Sequence, residues 1–188
     1  MPENITANID DDKKNEEIKI KKKKKRLIRD IIYLMVKIVF IGIVYFVLLY
    51  VLFGAKRMTG NAMVPYLFDG DLLFYYRLDK KYNTDDIVIV KQNNNEYILR
   101  IVAKEGQTVD INEYGQLIVD GVPETHMIYY ETAKDDKSNI NYPYTVPKNC
   151  FFALNDYRKV LNDSRSFGPI SVENIKGKLI GKLQIRNF

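Results

Sequence analysis

Met58-Thr59-Gly60-Asn61-Ala62-Met63-Val64-Pro65-Tyr66-Leu67-Phe68-Asp69-Gly70-Asp71 follows the one long apolar run of a 188-residue chain. It separates two physically different halves. On its N-terminal side Ile31 to Ala55 is apolar except near its start, at Lys37, and is long enough to cross roughly 30 Å of hydrocarbon as a helix. On its C-terminal side apolar residues come only in the short runs of β-strands. Gly70-Asp71 suits a tight turn that opens directly into Leu72-Leu73-Phe74-Tyr75-Tyr76.

Residues 1–17 are polar and acidic with too little apolar surface to pack, and are expected to be disordered. Lys19-Ile20-Lys21-Lys22-Lys23-Lys24-Lys25-Arg26 and Arg29 then crowd the N-terminal flank of the apolar run, which places that flank in the cytoplasm. Lys37 can snorkel toward this basic side, while Lys56 and Arg57 on the far flank weaken the bias without reversing it. The run is too long for a cleaved secretory signal, and Phe53-Gly54-Ala55-Lys56 is a poor cleavage site. The expected organisation is a basic cytoplasmic tail at 1–30, a transmembrane anchor at 31–55 and an extracytoplasmic domain at 56–188. The cell membrane is crossed once and membrane lipid is a partner.

The net charge of +5 belongs to the tail. Residues 1–30 hold ten of the 29 Lys/Arg, and Lys37, Lys56 and Arg57 add three. That leaves sixteen basic against seventeen acidic residues in 58–188, so the main domain has no electrostatic case for nucleic acid. Cys150 is the only cysteine and His126 the only histidine, which excludes an intrachain disulfide and paired Cys or His metal ligands. No metal site and no cofactor is expected. His126 reads as a loop residue beside Glu124 and Thr125.

Ile87-Val88-Ile89-Val90 and Tyr97 to Val102 are strand-like runs joined by Gln92-Asn93-Asn94-Asn95-Glu96, a hairpin signal. Thr108 to Ile111 and Gln116 to Val119 flank Asn112-Glu113-Tyr114-Gly115 as a second hairpin, and Asp120-Gly121 marks the next turn. Cys150 to Leu154 reads as a buried strand and Lys176 to Ile185 alternates well enough to close the sheet, whereas 123–143 reads as a surface excursion. The soluble part is expected to be mostly β, a curled sheet or partial barrel behind one N-terminal transmembrane helix.

The opening stretch resembles the nucleophile box of the bacterial type I signal peptidases, S-M-x-P-(T)-L followed by G-D, matched at Met63, Pro65, Leu67, Gly70 and Asp71. Tyr97 to Gln107 is similar to the family's K-R-(I/V)-(I/V)-(G/A)-x-(P)-G-D, and Leu154 to Gly168 to its G-D-N-R-x-x-S-x-D-S-R-x-x-G. Three boxes in order after an anchor, across 31–188, imply the fold. Fold does not settle activity.

By that resemblance, amide cleavage needs a hydroxyl nucleophile and a neutral lysine as general base. The nucleophile position holds Ala62, the base position before Arg100 holds Leu99, and the supporting third-box serine position holds Leu161. All three polar centres are hydrocarbon. Their joint replacement makes physical sense, because a buried lysine or serine without its partner is costly. A substitute dyad from Thr59 or Ser164 with Lys91 or Lys104 has little support, since Lys104 lies an odd number of strand positions after Leu99.

The frame residues are Asp71 and the third-box charges Asp156, Arg158, Asp163 and Arg165. The resemblance pairs the four third-box charges with one another, and a surface ion-pair set stands as their plainer alternative. Asn61, Ala62, Met63, Val64, Pro65 and Leu99 would line a groove for an extended client segment, the strand-addition mode. The Asn155-Asp156-Tyr157-Arg158 variant with the lost dyad resembles the signal-peptidase-like accessory proteins of sortase-assembled pili in Gram-positive bacteria. It implies a non-proteolytic assembly factor that binds a pilin or other secreted protein. Two rivals remain: a working signal peptidase in which Ala62 is an introduced nucleophile knock-out, and an inert anchored β scaffold.

Overall fold

The computed structural model describes the backbone of residues 3–124 and 130–184, and side chains from Lys19 onward. It falls into two compact units, Met1–Leu49 and Tyr50–Phe188.

The first unit is helix α1, which runs Glu3–Leu52 and enters the second unit only with its last turn. Its segment Lys19–Leu52 has a mean hydropathy of 2.6 in its most apolar window, none of it buried in the protein, and is long enough to span a membrane. Two boundaries differ from the sequence expectation. Residues 3–17 continue the helix instead of being disordered, because adding residues to a helix already nucleated costs little. At the other end the helix stops at Leu52, not Ala55. Phe53–Arg57 form strand β1, which pairs antiparallel with β2 (Leu72–Tyr76), Phe53 opposite Tyr76 and Arg57 opposite Leu72. The Tyr75 ring lies so close over Gly54 that a Cβ there would sit 2.1 Å from Tyr75 Cζ, so only glycine fits.

The second unit contains two antiparallel sheets. The larger adds β3 (Ile87–Gln92), β4 (Asn95–Lys104), β9 (Cys150–Leu154), β10 (Ile170–Ser171) and β11 (Ile175–Leu183), in the order β1-β2-β11-β3-β4-β9-β10. It stays open and does not close into a barrel, in keeping with the expected curled sheet or partial barrel. The smaller runs β7-β6-β5-β8, from β5 (Thr108–Ile111), β6 (Leu117–Val119), β7 (Val122–Pro123) and β8 (Tyr144–Thr145). Asn93 and Asn94 both take positive φ, 49° and 67°, the two-residue turn that asparagine tolerates and that matches strand twist.

Strand β3 is apolar at consecutive positions because both of its faces are covered. Ile87 and Ile89 join one core cluster with Met58, Met63, Leu67, Leu73, Tyr75 and Ile98. Val88 and Val90 join a second with Tyr82, Leu99, Ile101, Ala153, Ile170 and Ile175. Each such side chain removed fully from water contributes about 1.5–3 kcal/mol. A third cluster, with Val102, Ala103, Val109 and Phe152, joins the small sheet to the large one.

Candidate functional site

The stretch from Met58 to Asp71 is a closed loop. Met58 N donates to Asp71 O at 2.7 Å and Gly70 N donates back to Met58 O at 3.0 Å. Gly70 makes the turn with φ 87°, and the buried Asp71 carboxylate accepts from Phe68 N at 3.0 Å. Within the loop Leu67 N reaches Met63 O at 2.8 Å, a single helical turn that drives Met63 and Leu67 into the first core cluster. Tyr157 N donates to Ala62 O at 2.9 Å, which fastens this loop to the loop after β9.

The residues proposed as a groove therefore divide. Asn61 and Pro65 are exposed, Ala62 and Val64 half-buried, while Met63 and Leu99 are wholly buried and line no surface. Ala62 packs on the first cluster, which Ile98 of β4 also joins, whereas Leu99, the next residue of β4, points to the opposite face and belongs to the second. Leu161 is half-buried, and its carbonyl accepts from the Ser166 hydroxyl.

Beside Ala62 lies an open cavity of about 380 Å³ walled by Asn61, Val64, Phe68, Tyr130 and Tyr157. The two tyrosine rings meet edge to face, 4.6 Å between centroids and 83° between planes. The space next to Ala62 is an aromatic recess. Tyr157 was legible as the neighbour of Asp156 in the third box; Tyr130 sits in the stretch expected to be a surface excursion, which offered no periodic signal.

The third-box charges are structural, and their partners differ from the expectation. Arg165 and Asp163 do pair, Nη2 to Oδ2 at 2.7 Å and Nε to Oδ1 at 3.0 Å, both residues fully buried. Arg165 also donates to the Arg158 and Val160 carbonyls, each at 2.7 Å, so one guanidinium holds the whole loop. Asp163 caps the short helix α2 (Ser164–Phe167). Asp156 pairs instead with Arg100, across from β4. Arg158 donates to both Glu124 oxygens at 2.9 Å and to Thr132 Oγ1 at 3.3 Å. Burial makes the surface-pair alternative untenable for all four. Desolvation pulls the Arg158 guanidinium below its ordinary value, against the attraction of Glu124.

The odd-spacing argument about Lys104 also fails. A bulge between Ile101 and Ala103 shifts the register, and Lys104 turns to a cavity of about 410 Å³ shared with Tyr82, Phe151 and Val172 at the edge of the Leu99 cluster. No Ser or Thr lines that cavity, and Ser164 Oγ is buried and accepts from Ala153 N at 3.0 Å. Among the described residues no hydrogen bond joins a Ser or Thr hydroxyl to a lysine amine, and no trio of His, Cys, Asp or Glu could hold a metal. His126 lies outside the described residues.

Comparison with known proteins agrees with this frame. The family model described as signal peptidase, peptidase S26, matches residues 31–184. An inactive signal peptidase IA of Staphylococcus aureus is 31% identical over 163 residues, covering 83% of this chain and 90% of the relative. Signal peptidase I P of Bacillus subtilis subsp. natto is 30% identical over 138 residues, covering 67% and 74%. A crystal structure of a signal peptidase I from Enterococcus faecalis aligns with a TM-score of 0.46 at 23% identity, over 53% of this chain and 97% of that one. The chain belongs to the signal peptidase family, peptidase S26.

Proposed function

We propose that this protein is a membrane-anchored, non-proteolytic member of its family that holds an extended segment of a secreted client, such as a pilin, outside the membrane. One observation carries the reading. At the position that the resemblance gives to the general base, Leu99 is sealed in hydrocarbon among Val88, Ile101 and Ala153. A proton acceptor is absent there, and Ala62 supplies no oxygen to attack a carbonyl. The relative named inactive supports the same conclusion. The basic flank of α1 supports a cytoplasmic N-terminus.

The recess beside Ala62 supports retained binding. Its walls combine Val64 and Phe68 with two tyrosines and Asn61, a pocket for one side chain of an extended strand with polar groups at its rim. The test has two arms. Ala62→Ser and Leu99→Lys, singly and together, are assayed for cleavage of a signal-peptide substrate; cleavage by Ala62→Ser alone overturns the reading. A photo-crosslinker at Asn61 should capture a co-expressed pilin precursor, and Val64→Trp should abolish capture by filling the recess. Undiminished capture with Val64→Trp removes the recess from the proposal.

A further inference from the structure

The cavity of about 410 Å³ that Lys104 faces has a floor of Tyr82, Phe151 and Val172, all packed with the Leu99 cluster. Ala62 packs on the opposite face of the large sheet, so this space is separate from the recess beside it. Lys80 and Lys81, from the loop after β2, join Lys104 of β4 around the floor. Three cations from two distant segments thus converge on one apolar hollow. Lys80 Nζ donates to the Ile175 carbonyl at 3.4 Å, whereas the amines of Lys81 and Lys104 have no acceptor among the described residues. The one acid among the described lining residues, Glu105, is already held, accepting from Asn149 N at 2.7 Å. Tyr82 adds an independent sign. It is 5% exposed and its hydroxyl has no hydrogen-bond partner. Desolvation, then the charges of Asp79 and Asp86, push that hydroxyl up to about 12, so it stays a donor. Both acids are engaged elsewhere: Asp79 accepts from Lys81 N at 2.9 Å, Asp86 from Asn83 N at 2.8 Å and Lys178 Nζ at 2.7 Å. A buried donor without an acceptor is costly, and a polar ligand atom removes that cost.

We infer that the cavity between Lys81, Lys104 and the Tyr82–Phe151 pair binds a small aromatic carboxylate. The carboxylate meets the Lys81 and Lys104 ammoniums and gives the Tyr82 hydroxyl the acceptor it lacks. The ring of the ligand covers Phe151 and Tyr82, which themselves meet edge to face, 5.6 Å between centroids and 89° between planes. The volume suits a ligand of this size, an apolar floor with few polar groups being the usual build of such sites. A bare inorganic anion would leave Phe151 and Val172 uncovered, and a neutral ring would leave both ammoniums unanswered.

Cys150 lines the same cavity and is the only cysteine, so its alkylation by iodoacetamide reports occupancy. The full chain in mild detergent is alkylated at mildly alkaline pH and constant ionic strength, with naphthoate, naphthamide or inorganic phosphate added. Naphthoate at several times its dissociation constant should slow alkylation about fivefold, whereas naphthamide and phosphate at the same concentration should leave it within about twofold. The variant K81Q/K104Q should weaken naphthoate protection about tenfold, and Tyr82→Phe, which removes only the hydroxyl, about threefold. The charge-matched variant K91Q/K137Q, away from the cavity, should keep full protection. Val172→Phe, which fills the floor without altering a charge, should abolish it. No protection by naphthoate, or equal protection by naphthamide or phosphate, overturns the site. So does undiminished protection in K81Q/K104Q or Val172→Phe, or an equal loss in K91Q/K137Q.

Discussion

Arg100 and Asp156 form a buried two-pronged ion pair, Nε to Oδ1 at 2.7 Å and Nη2 to Oδ2 at 2.6 Å, between β4 and the loop after β9. Arg100 also donates to the Asp85 carbonyl at 3.0 Å. Burial alone pulls its guanidinium down, but the hydrogen bond and charge of Asp156, with the charge of Asp85, outweigh it and hold it above its ordinary value. The pair therefore fixes the two elements on which Leu99 and Tyr157 are carried.

Arg100→Ala leaves Asp156 buried without its partner and should destabilise the fold by ~3–5 kcal/mol. Replacing both by apolar residues, Arg100→Met with Asp156→Leu, should recover much of that loss. Urea denaturation followed by tyrosine fluorescence measures it, the chain having no tryptophan. A double variant as unstable as Arg100→Ala would show that the pair does more than compensate its own burial.

Glu96 sets an acid limit. Hydrogen bonds from Lys176 and then Lys56 lower its carboxyl from 4.5 to about 2. A carboxyl depressed on folding stabilises fully above its unfolded value and ceases to as pH falls through its folded value. The window therefore runs from 4.5 down to about 2. Glu96 is a third exposed, so screening holds the contribution to at most ~1 kcal/mol. Glu96→Gln should flatten that part of the thermal midpoint-against-pH curve, and high salt should shrink the difference between the two proteins.

Within β11, Gly177 and Gly181 should respond oppositely to alanine. A Cβ at Gly177 would lie 2.4 Å from the Tyr76 carbonyl oxygen, whereas at Gly181 nothing lies within 4 Å. Gly177→Ala should cost about 1–3 kcal/mol by pushing β11 off β2. Gly181→Ala should stay within about 0.5 kcal/mol of the parent. Comparing thermal midpoints of the two variants decides it.

Leu99→Lys should not create a competent base without cost. An amine in that cluster has its pKa depressed by about three units, worth about 4 kcal/mol against the charged form. The folded state then binds fewer protons than the unfolded one, so the variant should gain stability as pH rises from 6 toward 10. Leu99→Met should cost less than about 1.5 kcal/mol at every pH. A pH-independent loss in Leu99→Lys would mean that its ammonium reaches solvent.

The residues alone determined the long apolar helix, the hairpin at Asn93-Asn94, the β3 strand and the buried β9 run, and the hydrocarbon at positions 62, 99 and 161. Each of these depends on local hydropathy, turn chemistry or side-chain identity, which neighbours in sequence carry. Tertiary structure decided which carboxylate Arg100 meets 56 residues away, that Arg158 turns to Glu124, and that Met63 and Leu99 are sealed while Tyr130 and Tyr157 frame an open recess. It also turned Lys104 through the bulge after Ile101. Such outcomes depend on how sheet register and loop packing bring distant segments together, and a one-residue shift reverses every face that alternation assigns.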